Sequence, residues 1–171
     1  LHAGIDRASR LVDQLLTLSR LDSLDNLDDV EPITLADLLQ SAVLDIWHPA
    51  QQAGIDIRLN NHAPQVKRQG QPLLLSLLVR NLLDNAIRYS PRGSVVDVTQ
   101  DARSFSVRDN GPGVDPEVLA RIGERFYRPP GQNATGSGLG LSIVRRIAAL
   151  HGLPVSLSHA ADRGFEVTPS W

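Results

Sequence analysis

Apolar residues recur at helical spacing over the first 24 residues of the chain. Ile5, Ala8, Val12 and Leu15 are three or four residues apart, and further leucines widen the stripe. The stripe consists of Ile5, Ala8, Leu11, Val12, Leu15, Leu16 and Leu18. Such an apolar helix must bury its stripe, so we expect a partner helix in the same chain or in a dimer. We interpret the acidic, breaker-rich segment 25–32 as a linker between this helical segment, 1–24, and a separate domain, 33–171.

Beyond the linker, helical and alternating patterns are mixed along the chain. Thr34 is a favourable N-cap for the first helix of this region, and Gly54 is a favourable residue to close it. Helices are predicted over about 35–53, 71–89 and 137–150, and strands at 30–33, 55–59, 65–69, 94–100, 104–108, 154–159 and 164–169. The segment 109–136 is rich in Gly, Pro and Asn, with room for a short helix near 116–123. Because strict β-α-β alternation is absent, we predict a layered α+β sandwich.

The composition narrows the class of protein. The chain has 171 residues, 42% of them apolar and 21% charged, as in ordinary globular proteins. A net charge of −2 and a pI near 6.2 argue against a nucleic-acid partner, which requires a basic surface. The longest apolar run, 72–79, is far shorter than the roughly 18 residues that cross a bilayer, so we expect no membrane insertion. The chain begins at Leu1 and contains no methionine, so we expect it to be an excerpt of a longer protein.

The apolar helix at 71–89 contains two asparagines in the motif RNLLDNAIRYS. Asn81 and Asn85 are four residues apart and therefore share one face of the helix. Amides on such an apolar helix are costly unless they meet a partner. They either form hydrogen bonds within the core or present oxygens to a hard cation such as Mg²⁺, whose other ligands are waters and phosphates. Arg88, one turn beyond Asn85, could reach the same phosphates.

A second polar cluster, RDNGPGVD, follows the strand predicted at 104–108. Asp109 lies at the strand end, and Gly111 and Gly113 permit a sharp turn and close approach of a flat ligand. The motif is either a plain Asp-Asn-Gly turn or a site where a carboxylate accepts a hydrogen bond from an exocyclic amine such as that of adenine.

The third cluster is the loop TGSGLGLSIV at 135–144, which enters the last predicted helix. Gly136, Gly138 and Gly140 expose backbone N–H groups near a helix N-terminus, where an anion is favoured. It is either an anion-binding loop or a simple helix entry, and it lacks the lysine of a P-loop. The preceding stretch ERFYRPPGQNATG, with its cations and aromatics, predicts a mobile lid.

The order of these clusters resembles the ATP-binding domain of sensor histidine kinases, in the family shared with Hsp90, MutL and DNA gyrase B. NLLDNAIRYS is similar to the N box, DNGPG to the first glycine box, ERFYR to the F box, and TGSGLGLSIV to the second glycine box. The likeness covers about 30–170, and 1–24 resembles the second helix of the dimerisation domain. It implies a Bergerat-type α+β fold, a two-layer sandwich whose mixed sheet is covered on one face by helices.

The resemblance also implies site roles and partners. It makes Asn85 the magnesium ligand with Asn81 assisting, Asp109 the acceptor of the adenine amine, and Arg88 a residue that faces the phosphates or ribose. The positions that it assigns to ATP binding are Asn81, Asn85, Arg88, Tyr89, Asp109, Gly111, Gly113, Val114, Arg125, Phe126, Arg128, Thr135, Gly136, Ser137, Gly138, Leu139, Gly140 and Leu141. It implies Mg²⁺ and ATP as cofactors, a response regulator as partner, a homodimer in the intact kinase, and a location in the cytoplasmic portion of an inner-membrane receptor.

Two departures from the family pattern refine the expected activity. Kinases of this family carry the phospho-acceptor in a His-Glu-Leu-Arg-Thr-Pro type context, which surrounds none of the histidines here. Those histidines, expected to be structural or exposed, are His2, His48, His62, His151 and His159. We therefore expect the chain to bind ATP without phosphorylating itself.

The second departure concerns the residue four positions before Asn85. Hsp90-type ATPases place a general-base glutamate there, whereas this chain has Asn81, whose amide cannot take a proton from water. That difference favours phosphoryl transfer to a histidine. The alternatives are an Hsp90/MutL-like ATPase and a non-catalytic nucleotide-binding scaffold that dimerises through 1–24.

Overall fold

The computed structural model describes residues 2–110, 139–159 and 164–171. Its helices are α1 (His2–Asp22), α2 (Leu35–Gln52), α3 (Pro72–Tyr89) and α4 (Gly140–Leu150). Its strands are β1 (Glu31–Thr34), β2 (Asp56–Asn61), β3 (Lys67–Gly70), β4 (Val95–Gln100), β5 (Phe105–Asp109), β6 (Val155–His159) and β7 (Phe165–Pro169). The predicted elements are therefore present wherever the structure describes the chain, with ends shifted by a few residues.

The strands form one large mixed sheet and one small sheet. The large sheet has the order β2-β4-β5-β7-β6, in which β2 and β4 are parallel and the other neighbours antiparallel. The antiparallel pair β1-β3 forms a separate sheet beside it. The structure thus combines helices with a mixed sheet, which confirms the predicted α+β fold. A sheet that is apolar on one face must be covered by another layer, and here the helices form that layer.

Alternation along the strands separates the covered face of the sheet from the open one. Val96, Val98 and Val107 are buried beneath the helices, whereas Asp97 and Arg108 lie on the opposite face and form an ion pair at 3.2 Å. The helices α2 and α3 pack together, and α3 also packs against α4 and β5. The helix α3 is therefore held between the sheet and α4.

The ends of α2 and α3 differ in detail from what the sequence suggests. Thr34 occupies the N-cap position of α2, but its side chain makes no capping hydrogen bond. At α3 the cap is Gln71, whose side-chain oxygen accepts a hydrogen bond from the Leu74 amide at 2.7 Å. The C-terminal end of α2 follows the prediction, because Gly54 adopts a φ of +70° just beyond it.

The two histidines with described polar contacts each contact other groups of the protein. His151 bridges α3 and α4, since its Nε2 accepts from the Gln71 amide at 3.0 Å and its Nδ1 lies 2.8 Å from the Ile147 carbonyl oxygen. His62 Nδ1 lies 2.9 Å from an Asp101 carboxylate oxygen at the surface. Among the helices in the described ranges, none is both long enough and apolar enough to traverse a lipid bilayer.

Candidate functional site

The polar face of α3 begins with Asn81, which lies between α3 and α4. Its side chain is only 8% exposed, and its Nδ2 donates a hydrogen bond to the Leu77 carbonyl oxygen of the preceding turn at 2.8 Å. The amide oxygen is directed towards α4, where a Cβ added to Gly140 would be 3.5 Å from it. The hydrogen bond of Nδ2 thus fixes the orientation of the amide, and its oxygen faces Gly140, which has no side chain, at the start of α4.

Asn85 lies one helical turn further along the same face of α3 and is half-buried. Neutral amide oxygens are hard ligands that suit Mg²⁺, which takes its remaining ligands from waters and phosphates. Within the described ranges there is no cluster of three or more His, Asp or Glu side chains that could hold a metal. Because two amide oxygens supply only part of a coordination shell, Asn81 and Asn85 fit a cation that shares its coordination with a phosphate ligand.

Asp109 is the last residue of β5 and is only 5% exposed. Its Oδ1 accepts a hydrogen bond from the Phe165 amide at 3.2 Å, so the first residue of β7 orients the carboxylate. The next residue, Asn110, accepts a hydrogen bond from the Val95 amide through its side-chain oxygen at 3.0 Å. The end of β5 is thus hydrogen-bonded to both neighbouring strands. These bonds hold the Asp109 carboxylate in a defined position at the end of the strand.

The start of α4 completes the described part of the site. Leu139, at the N-cap position, is fully buried, and its side chain offers no oxygen to the N–H groups of the first turn. Leu141 is also buried and belongs to the core. The first turn of α4 is therefore anchored by apolar contacts, with its backbone N–H groups at the end that faces the polar side of α3.

The charges at the C-terminal end of α3 influence one another. Burial raises the pKa of the Asp84 carboxyl above its usual value of 3.8, and the positive charges of Arg80, Arg88 and Arg10 only partly oppose this effect. Burial also lowers the pKa of Arg88, and the positive charge of Arg10 acts in the same direction. An arginine remains protonated nonetheless, so Arg88 supplies a fixed positive charge one turn from Asn85.

The raised pKa of Asp84 predicts a pH-dependent contribution to stability. The folded protein holds this proton more tightly than the unfolded chain does, so stability from Asp84 is fully present below 3.8 and is lost as pH rises through the folded-state pKa. Asp84→Asn removes the titration. We therefore expect the variant to gain free energy of unfolding relative to the unaltered chain as pH rises from about 3.5 to 7 in urea titrations. Parallel stability curves for the two proteins would contradict this assignment.

Many of the predicted site residues lie outside the described residues. These are Gly111, Gly113, Val114, Arg125, Phe126, Arg128, Thr135, Gly136, Ser137 and Gly138, together with the short helix near 116–123. Of the rest, the structure brings Asn81 and Gly140 into proximity and places Asn85, Arg88 and Tyr89 on the same half of α3.

Sequence reasoning missed two residues that shape this site. Asp84 lies between the two asparagines, and the available signal was its position four residues from both Arg80 and Arg88 on the same helix. Gly164 contacts the backbone of Asp109 although the two are far apart in the chain, and nothing in the local sequence indicates that pairing.

Comparison with known proteins places these features in a family. Residues 70–170 match the family described as histidine kinase-, DNA gyrase B-, and HSP90-like ATPase. Sensor protein QseC of Salmonella typhimurium is 77% identical over 171 residues, which is 100% of this chain and 38% of that relative. The chain thus spans well under half of the length of this curated relative.

Two solved structures share the fold. The cytoplasmic segment of histidine kinase QseC is 60% identical, with a TM-score of 0.70 over 98% of this chain and 93% of that one. Full-length ShkA in complex with AMPPNP is 29% identical, with a TM-score of 0.81 over 94% of this chain and 34% of that one. The matched range includes α3, the end of β5 and the start of α4, so this chain belongs to the histidine kinase-, DNA gyrase B- and HSP90-like ATPase family.

Proposed function

We propose that the chain binds Mg-ATP and is the catalytic domain of a sensor histidine kinase. In the intact protein the domain transfers the γ-phosphoryl group to a histidine of the dimerisation domain, from which it passes to an aspartate of a response regulator. The intact protein is a homodimeric receptor of the inner membrane, and this chain is part of its cytoplasmic portion. The observation that carries the proposal is the packing of α3 against both β5 and α4, because α3 carries Asn81 and Asn85 and β5 ends at Asp109.

The described residues divide the recognition of ATP between two ends of the site. Asp109, oriented by the Phe165 amide, accepts a hydrogen bond from the adenine amine. Asn85 holds the cation, and Arg88 and Tyr89 face the phosphates or ribose. Magnesium supplies charge neutralisation for the phosphates when it is bound. Full-length ShkA, which shares this fold, was solved in complex with AMPPNP. That complex supports a nucleotide as the ligand of this chain.

The geometry of Asn81 supports phosphoryl transfer over hydrolysis of ATP. A general base must be able to accept a proton from water, and a neutral amide cannot. The Nδ2 of Asn81 is engaged by the Leu77 carbonyl oxygen, which leaves the amide oxygen as the group that faces α4. Asn81 therefore orients groups beside the cation, as an assisting ligand or through a water molecule, and does not activate water.

The apolar surface of α1 supports the proposed dimer. Ile5, Val12 and Leu16 remain more than half exposed, although Leu18 and Leu21 of the same helix are buried against the rest of the chain. A contiguous exposed apolar stripe on a helix typically marks a protein interface. The partner is the remainder of a helical dimerisation bundle, in agreement with the resemblance of 1–24 to its second helix.

The experiment that tests the nucleotide site is a titration of Asn85→Ala with ATP, with and without Mg²⁺. Loss of the amide oxygen removes a cation ligand, so we expect affinity in Mg²⁺ to fall roughly tenfold or more while metal-free affinity changes little. Ser90→Ala, at the C-cap of α3, is a control variant on the same helix. Equal losses with and without Mg²⁺ would remove Asn85 from the cation site, and no binding of ATP by the unaltered chain would refute the proposed function.

A further inference from the structure

Asn110 ends the pairing of β5 with β4 through its side chain. Regular pairing of the two strands stops at Val96 and Asp109. The N–H group of the adjacent Val95 is still directed towards β5, where it donates a hydrogen bond to Asn110 Oδ1 at 3.0 Å. In a continuing antiparallel ladder, a backbone carbonyl group would accept this bond. The side chain of Asn110 therefore replaces the next ladder bond, and the backbone is free to leave the direction of β5 directly after Asp109.

The opposite side of β5 ends in a similar way. Regular pairing with β7 stops at Arg108 and Glu166. Beyond that pair, the Phe165 amide donates to the side chain of Asp109 at 3.2 Å. Two consecutive side chains, those of Asp109 and Asn110, thus accept backbone N–H groups from strands on opposite sides of β5. Together these two bonds determine where the end of β5 lies between β4 and β7.

The bond to Phe165 does not by itself fix the direction of the Asp109 carboxylate. It engages Oδ1, and a single hydrogen bond constrains the distance of that oxygen more than the rotation of the group about it. The direction of Oδ2 therefore also depends on where the backbone of Asp109 is held. The bond between Asn110 and Val95 holds that backbone on the β4 side, one residue beyond the carboxylate.

We propose that Asn110 is a positioning residue that makes the nucleotide site selective for adenine. It acts through Asp109, because the bond to Val95 holds the end of β5 where the carboxylate meets the adenine amine at hydrogen-bonding distance. The inference rests on the proposed function, since it assumes that Asp109 accepts a hydrogen bond from that amine. The effect of Asn110 is therefore on discrimination between bases and not on recognition of the triphosphate.

The first test measures the affinities of Asn110→Ala for ATP and for inosine triphosphate by calorimetric titration. Loss of the bond to Val95 should weaken ATP binding by roughly three- to tenfold, the range for one hydrogen bond. Inosine triphosphate has a carbonyl oxygen in place of the amine, so its affinity should stay the same or rise. The preference for ATP should thus fall by at least roughly threefold. A purely structural role of Asn110 would lower both affinities and leave the preference unchanged.

Two matched variants separate the hydrogen bond from other effects of the substitution. Asn110→Asp keeps an acceptor oxygen for the Val95 N–H group and should retain the preference for ATP, because its added charge repels both triphosphates equally. Asn60→Ala removes another exposed interstrand bond of the same sheet, from Asn60 Nδ2 to Thr99 Oγ1 at 3.4 Å. That bond joins β2 to β4 and does not involve β5, so its loss should change neither affinity.

Hydrogen exchange at the Val95 amide tests the bond itself. An amide that loses its hydrogen-bond acceptor is less protected from exchange with water. Exchange at Val95 should therefore accelerate in Asn110→Ala and remain slow in Asn110→Asp and Asn60→Ala. The three proteins thus link the protection of one backbone amide to the preference for one base.

Three outcomes would overturn this inference. They are an unchanged preference for ATP in Asn110→Ala, an equal loss of preference in Asn110→Asp and Asn110→Ala, and unaltered exchange at Val95 in Asn110→Ala. Asp109→Asn distinguishes these failures from failure of the proposed function. If Asp109→Asn kept the preference for ATP, the proposed contact with adenine would be refuted. If Asp109→Asn lost the preference and Asn110→Ala kept it, only the role of Asn110 would be refuted.

Discussion

Asp109→Asn is expected to weaken ATP binding by about 1.5–3 kcal/mol, or roughly tenfold to a hundredfold, without unfolding the protein. A carboxylate only accepts hydrogen bonds, and one of its oxygens already accepts from the Phe165 amide at 3.2 Å. Asparagine retains one acceptor oxygen for that bond. It replaces the other oxygen with an NH₂ group, which would oppose the amine of adenine donor to donor.

A change of the nucleotide base tests the proposed hydrogen bond between Asp109 and the adenine amine directly. Inosine triphosphate carries a carbonyl oxygen where adenine carries its amine, so it should bind the unaltered chain poorly and lose little or gain affinity in Asp109→Asn. The ratio of the two affinities, from calorimetric titrations, reports on the proposed hydrogen bond alone. A variant that loses ATP and inosine triphosphate equally, with an unchanged melting temperature, would show that Asp109 does not recognise the amine.

The sequence could predict the fold because local patterns and tertiary environment agree over most of the chain. The alternation in β4 and β5 places Val96, Val98 and Val107 on one face, and the structure buries them all. Similarly, the apolar run of α3 is long enough to exclude a strand, and its stop at Ser90-Pro91 follows from the missing N–H of proline. The order of the motifs indicated the family that the comparison shows, whereas the roles of the individual site residues stay predictions.

Other features depend on contacts that a linear pattern cannot encode. Arg146 binds the carbonyl groups of residues more than 100 positions earlier in the chain. Its position in the sequence of α4 does not distinguish it from any other partly exposed arginine on a helix. The strands β1 and β3 are only four residues long each, and nothing in their sequence indicates that they pair with each other in a separate sheet. The orientation of Asn81 likewise depends on the Leu77 carbonyl oxygen and on the missing side chain of Gly140.

Gly164→Ala is expected to lower the free energy of unfolding by roughly 2–5 kcal/mol and to weaken ATP binding together with it. Gly164 adopts a φ of +124°, which side-chain-bearing residues rarely adopt. A Cβ there would collide with the carbonyl oxygen of Asp109, a backbone group that cannot rotate away. Relief of the collision must move the end of β5 or the start of β7, and either movement disturbs the bond between Phe165 and the Asp109 carboxylate.

Gly93→Ala separates backbone strain from the collision. Gly93 has a φ of +90°, yet apart from its chain neighbours no atom in the described part of the chain lies within 4 Å of the position that its Cβ would occupy. That variant should lose stability through strain alone, about 1–3 kcal/mol, and should bind ATP normally once folded. Urea unfolding gives both losses, and titration under conditions where both variants are folded gives the affinities. If Gly164→Ala were no less stable than Gly93→Ala and bound ATP as tightly, the close approach of Gly164 would not be what positions Asp109.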